Sequence, residues 1–264
     1  MSEKNAAVFA LRSGAIVEIV LNRPQVLNAA NVQLASDFLS VCQRIAGDPG
    51  VRCVVLRGEG KAFMAGGDLA EFTADPGHAA DVADALIKPL NEAVTILSQM
   101  SAPVIGSVHG AVAGAGVSLA LACDLVIAAD NTKFNMAYSK IGANPDVSGS
   151  WTLPRAVGLH KAMEITLLSE TFDAQAAQRL GLVYRIVSKG ELAQETMSLA
   201  DRLANGPTRS FGVVKNLIRN SFDRSLNSQL EAERLGFREC AATNDFKEGV
   251  AAFQQRRTPL FTGS

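Results

Sequence analysis

The chain has 264 residues, 48% of them hydrophobic, which is enough to bury a large core as one domain or as one domain with an appendage. Its formal net charge of -1 gives no electrostatic footprint for nucleic acid or an anionic membrane, so neither is expected as a partner, while small ligands stay open. Cys42, Cys53, Cys123 and Cys240 are scattered through apolar contexts with no C-x-x-C pair, a pattern that fits buried thiols in a reducing compartment.

The amino terminus lacks the apolar run of a signal peptide, and no segment approaches the ~18 apolar residues of a membrane span; a cytoplasmic protein is expected. His78, His109 and His160 are too dispersed for a metal cluster, so no metal is expected, and His160 with Glu164 reads as a surface pair at i, i+4.

In chain order, the β-formers Val8 to Leu11 and Ile16 to Leu21 flank the turn composition Arg12-Ser13-Gly14 and predict a hairpin. After the break at Asn22-Arg23-Pro24, the spacing of Leu34, Phe38, Val41 and Ile45 predicts a helix capped by Asn31 and ending before Asp48-Pro49-Gly50. Val51 to Leu56 reads as a strand that runs into RGEGKAFMAGGDLAEF. There Ala65-Gly66-Gly67-Asp68 joins small residues to a helix cap and would expose amides near Ala65; the plainer reading is an ordinary Gly-rich turn. A long helix is expected from about 79 to 100, bent or interrupted at Pro89.

The stretch PVIGSVHGAVAGAGVSLALACD, residues 103–124, reads as a buried strand, a glycine turn and a small-residue helix. Gly110, Gly114 and Gly116 permit close backbone approach, and the first amides of the helix have no intrahelical partner and attract developing negative charge. Tight helix-on-sheet packing alone would also account for the glycines. No phosphate loop is present, since Val117-Ser118 stands where Lys-Ser or Lys-Thr is needed, and the dinucleotide fingerprint lacks its third glycine.

Leu125 to Ala129 reads as a further strand, and the alternation of strand, loop and helix argues for an α/β fold. Asp146, between Pro145 and Val147 with few charges nearby, is a candidate general base whose pKa burial would raise if the site is buried; spacing alone favours a turn Asp capping a helix that starts near Ser150. Helices follow at 160–168 and 173–180, the second capped by Asp173 and stopped by Gly181, then a last strand at 183–187. From Leu192 the pattern is helical, broken at Gly206-Pro207 and near Asn244-Asp245. A boundary near 206 divides a 1–205 core from a 206–264 helical region.

Over nearly its whole length the chain resembles the crotonase family, the enoyl-CoA hydratase/isomerase superfamily. The likeness rests on LNRPQVLNA (21–29), GEGKAFMAGGDLAEF (58–72), SAPVIGSVHGAVAGAGVSLALACDLVIAAD (101–130), NPDVSGSWTLPRAVG (144–158) and AQRLGLVYRIV (177–187). It implies a spiral of ββα repeats with a carboxy-terminal helical part that assembles homotrimers, often paired as hexamers. It also implies an acyl-CoA thioester as substrate, with no further cofactor, its carbonyl held between the amides of Ala65 and Ala115. For the CoA moiety it suggests Gln25, Val26 and Leu27, the run Ala65, Gly66, Gly67, Asp68 and Leu69, Gly114 at the turn, and Arg256 and Arg257 of a neighbouring subunit.

Hydratases of this family resemble one another in two glutamates that hold and activate water, and the matching positions here are Ser118 and Tyr138. Asp146 falls where several isomerases and a dehalogenase of the family carry an aspartate, and NPDVSGSWTLPR is similar to the isomerases of ring-1,2-epoxyphenylacetyl-CoA in phenylacetate degradation. The resemblance thus implies an isomerase in fatty-acid or phenylacetate metabolism that shifts an enoyl-CoA double bond. A hydratase using Tyr138, Ser118 or a bound water, and a non-catalytic acyl-CoA-binding scaffold, are the alternatives. The dehalogenase comes last. Phe72, Leu86, Trp151 and Phe253 are candidate pocket walls or core.

Overall fold

The computed structural model describes residues 6–74 and 76–264. β1 (Val8–Ser13) and β2 (Ile16–Leu21) form the expected hairpin, with Ser13 paired to Ile16 and the turn at Gly14, whose φ of 59° suits glycine. β3 (Cys53–Gly58), β4 (Val104–Val108), β6 (Leu125–Ala129) and β9 (Arg185–Val187) continue the sheet in the order β1-β2-β3-β4-β6-β9, parallel from β2 onward.

Between these strands the chain visits a second, smaller sheet. β5 (Ala111–Ala113), β7 (Lys133–Asn135) and β8 (Phe172–Asp173) form it, and single bridges from Met64 to Val112 and from Ala30 to Gly67 extend it. Each turn of the chain therefore runs through a strand in the large sheet, an extended step in the small one and a helix. The helices in these places are α1 (Val32–Ala46), α3 (Ala79–Gln99), α4 (Ala115–Ala122) and α5 (Gly149–Val157), so the fold is the expected spiral of ββα units.

Residues 103–124 differ from the simple strand-turn-helix expectation, because β5 intervenes between β4 and α4. Three residues are too few to display a period, and glycine on both sides disguised the strand as a turn.

Both faces of the large sheet are covered, which explains the near-continuous apolar strands. Leu34, Phe38, Leu90, Leu97 and Leu119 pack one face, while α8 (Leu192–Ala204) lays Leu192, Leu199, Ala200 and Ala204 on Ile16, Val55, Ile105 and Ile127 of the other.

Asn31 caps α1, accepting from the Leu34 amide at 2.9 Å, and Asp173 caps α7 (Ala174–Arg179), accepting from the Ala176 amide at 2.9 Å. Pro89 does not interrupt α3. Leu86, Leu90, Ala93 and Leu97 hold the helix to the core on both sides of it, and Ala85, whose carbonyl it deprives of a donor, is an exposed residue. Glu164 of α6 (Leu159–Leu168) pairs with Lys161 at 2.6 Å, not with His160.

After Gly206-Pro207 come α9 (Thr208–Arg219), α10 (Leu226–Ala241) and α11 (Asn244–Gln254), with a further break at 220–225 that the sequence pattern did not announce. Cys42, Cys53 and Cys123 are buried and free, and burial pushes the Cys53 and Cys123 thiols up to about 12. No helix of the described residues is long and apolar enough to cross a membrane.

Candidate active site

Two loops meet at the edge of the small sheet, and backbone hydrogen bonds fix how they meet. The Met64 amide donates to the Ala111 carbonyl at 3.2 Å, and the Ala113 amide donates to the Met64 carbonyl at 2.9 Å. Glycine is required where the loops cross: a Cβ on Gly116 would stand 2.3 Å from the Met64 carbonyl oxygen, and Gly114 has φ of 50° with ψ of -122°, a conformation side chains rarely adopt. Ala65 and Ala115 follow these contacts immediately and are held side by side.

The Ala115 amide opens α4 and has no protein acceptor among the described residues, as expected of a free helix-start donor. Ala65 differs from expectation. Its amide is not free but donates to the Leu27 carbonyl at 3.0 Å. A ligand oxygen reaching this amide must share or displace that bond. Replacing Ala115 by proline removes the free N–H at a position where a helix tolerates the ring; with this amide as the oxyanion donor that the family resemblance implies, kcat is expected to fall about a hundredfold or more. Steady-state rates of an Ala115→Pro variant with wild-type circular dichroism check this.

The loop that supplies Leu27 is organised by Asn28, a residue the sequence reading passed over. Its side chain is fully buried, donates to the carbonyls of Glu59, Ala62 and Phe63 at 2.9 to 3.1 Å, and accepts from the Arg23 amide at 2.8 Å. The one available signal was an amide residue beside a proline turn in an otherwise apolar stretch. Gln25, Val26 and Leu27 stand exposed on the short turn that Asn28 anchors.

Gly66 to Asp68 are stitched to the same loop. The Ala30 amide donates to Gly66 and the Asp68 amide to Ala30, while Arg23 pairs with Asp68 at 3.0 Å. Asp68 also accepts from the Ala70 amide at 3.2 Å, capping α2 (Leu69–Ala74), which leaves Leu69 exposed beside it. The structure thus brings residues 25–27 and 65–69 into one surface. Within this chain no hydrogen bond or ion pair joins Arg256 or Arg257 to that surface among the described residues. Arg257 is occupied by Glu248, with Nη2 at 2.8 Å from Oε2, so Arg256 is the cation there without an acidic partner among the described residues.

Asp146 does not cap α5; no side chain does, and Ser148 holds the cap position. The Asp146 carboxylate instead accepts from the Tyr138 hydroxyl at 2.5 Å, and Tyr138 lies 3.2 Å from Ser118 Oγ on α4. Burial raises the Asp146 pKa above the usual carboxylate range, while the Tyr138 hydrogen bond works in the opposite direction.

Of the four candidate walls, Phe72 stands beside the site, with its ring 3.7 Å from the place of a Cβ on Gly67. Leu86 is core, Trp151 lies under the Arg155 guanidinium at 3.9 Å, and Phe253 is 87% exposed on α11.

A ββα spiral with glycine-flanked backbone amides at the crossing of two loops defines an enzyme of the crotonase fold. The chain belongs to the enoyl-CoA hydratase/isomerase family, whose model matches residues 12–264. It is similar to the 1,2-epoxyphenylacetyl-CoA isomerase of Escherichia coli, with 38% identity covering 94% of this chain and 95% of that one. A probable enoyl-CoA hydratase of Rhodobacter capsulatus is 37% identical, covering 95% and 96%. Among solved structures, an enoyl-CoA hydratase from Polaromonas sp. JS666 superposes with a TM-score of 0.91 at 34% identity, covering 96% of this chain and 99% of that one.

Proposed function

We propose that this enzyme moves the double bond of a 3-enoyl-CoA into conjugation with the thioester, with Asp146 as the acid/base. The observation that carries the reading is the state of the polar positions beside the amide pair. Where a water-activating pair of carboxylates would stand are the hydroxyls of Ser118 and Tyr138, and the carboxylate they lead to is Asp146. Asp146 takes a proton from C2, and the electron pair spreads into a dienolate whose oxygen is held by the Ala115 and Ala65 amides. The same carboxyl then returns the proton at C4. Adding water would require a group to deprotonate it, and the phenol of Tyr138 is pushed well above its ordinary pKa by burial and by Asp146.

Residues 25–27, 65–69 and Gly114 surround the thioester end of CoA in this reading, and Arg256 from a neighbouring subunit meets its phosphates. Self-association as a homotrimer or a dimer of trimers is supported by the apolar side chains that residues 206–264 leave uncovered, among them Ile218, Phe222, Leu226, Phe237 and Leu260. The direct test is trans-3-hexenoyl-CoA with purified protein, followed by the absorbance of the conjugated thioester. A rise that scales with enzyme supports the isomerase. Binding of the thioester without any rise removes it.

A further inference from the structure

Three polar side chains from three elements converge beside the amide pair. Tyr138 stands on a short helical turn (Tyr138–Ile141), Ser118 on α4 and Asp146 on the loop before α5. Ser118 is fully buried and Tyr138 is 6% exposed, so water does not compete freely for their hydroxyls. The phenol proton is committed to the carboxylate at 2.5 Å, which leaves the Tyr138 oxygen to accept from Ser118 at 3.2 Å. No other residue donates to the second carboxylate oxygen among the described residues.

The backbone around this chain of hydroxyls is held in costly conformations. Ala137, Val147 and Ser148 have φ of 57°, 48° and 71°, and for a β-branched residue such as Val147 the left-handed region is strained. Val147 is nevertheless buried at 2% exposure, which locks the turn that aims Asp146. Gly149 seats the start of α5 directly on Ser118, since a Cβ there would be 2.3 Å from Oγ.

We infer that Tyr138 is the positioning residue of the acid/base: its hydroxyl, oriented by Ser118, fixes Asp146 Oδ1 and leaves Oδ2 as the single oxygen that carries the proton. This inference rests on the reading of Asp146 as the base. An anchored carboxyl does not rotate to present its other oxygen, so C2 and C4 are served from one face. In the first half, the C2–H bond breaks, Oδ2–H forms and the electron pair enters the dienolate. In the second, Oδ2–H breaks, C4–H forms, the double bond settles between C2 and C3, and the thioester carbonyl is restored. Nothing is oxidised or reduced.

The test compares Tyr138→Phe and Ser118→Ala with the wild type by carbon NMR of protein labelled at the aspartate side-chain carboxyls. The Asp146 signal is identified by its absence from Asp146→Asn. No charged side chain is among the causes of the Asp146 shift, which are burial, the Tyr138 hydroxyl and its own backbone. Loss of the phenol is therefore expected to move the Asp146 midpoint up by about one pH unit, and Ser118→Ala to move it less in the same direction. Turnover of trans-3-hexenoyl-CoA by Tyr138→Phe should fall about tenfold to a hundredfold with little change in KM, and its acid limb should rise with the midpoint. A Tyr138→Phe midpoint equal to the wild type overturns the inference, and a shift in Tyr138→Phe without one in Ser118→Ala removes the serine from it. Wild-type turnover by Asp146→Asn would instead sink the base assignment, which the NMR midpoint does not depend on.

Discussion

Asp146→Asn is expected to lower turnover of a 3-enoyl-CoA by about a thousandfold while acyl-CoA affinity stays within about threefold of wild type. Asparagine fills the same volume and accepts from Tyr138 as before, but its amide cannot take a proton from C2, and a positioned acid/base contributes roughly 10²–10⁴ in rate. In the proposed mechanism the residual rate comes from the amide pair at Ala65 and Ala115, which the substitution leaves in place. The wild type carries a pH signature of its own. As the proposed base, Asp146 works ionised and burial raises its pKa, so kcat/KM is expected to fall on the acid side at a pH above that of an ordinary aspartate. Stopped-time rate measurements with calorimetric titration of the 2-enoyl thioester check both halves, and undiminished turnover in the variant contradicts the assignment.

The second large effect is on stability. Asp124, at the end of α4, accepts from Lys215 and Arg219 of α9 at 2.8 Å each and from the Val104 amide at 2.8 Å. Lys215 is 8% exposed and also donates to the carbonyls of Leu97 and Ala102 at 3.1 Å, so one cluster ties α9 to α3 and to the start of β4. Asp124→Asn keeps the shape and leaves two cations without their carboxylate, one of them buried. Breaking a buried pair from one side costs about 3–5 kcal/mol. A lowered midpoint of chemical denaturation measures it, and a midpoint unchanged from wild type would mean that the cluster does not hold α9 to the core.

What the sequence made legible follows from length scale. Helix α1 was readable because Leu34, Phe38, Val41 and Ile45 repeat at helical spacing and Asn31 is a strong cap; α7 was readable from Asp173 and Gly181 for the same reason. The parallel strands declared themselves as apolar runs because both faces of their sheet are buried. The small sheet did not, since β5, β7 and β8 have three residues or fewer and their partners in the bridges to Met64 and Gly67 are single residues.

In the site, Ala65 and Ala115 were traceable from their glycines and from the family resemblance. The bond from the Ala65 amide to Leu27 was not, because it depends on Leu27 and Asn28 adopting φ of 54° and 56°; asparagine visits that region more readily than most residues, but nothing in a leucine advertises it. Asp146 was a candidate base from its charge-poor context, but its bond to Tyr138 depends on left-handed turns at Ala137, Val147 and Ser148 that only the fold imposes. The Asp124 cluster joins residues far apart in the chain and has no local signal at all.

The measurement that bears most directly on the whole account is the product distribution after separate incubation with trans-3-hexenoyl-CoA and trans-2-hexenoyl-CoA, resolved by chromatography beside Asp146→Asn. The proposed isomerase interconverts the two enoyl thioesters with no 3-hydroxyacyl-CoA, and Asp146→Asn does not. Hydroxyacyl-CoA as the dominant product from the 2-enoyl substrate would contradict it and would make Ser118 and Tyr138 the water-handling pair.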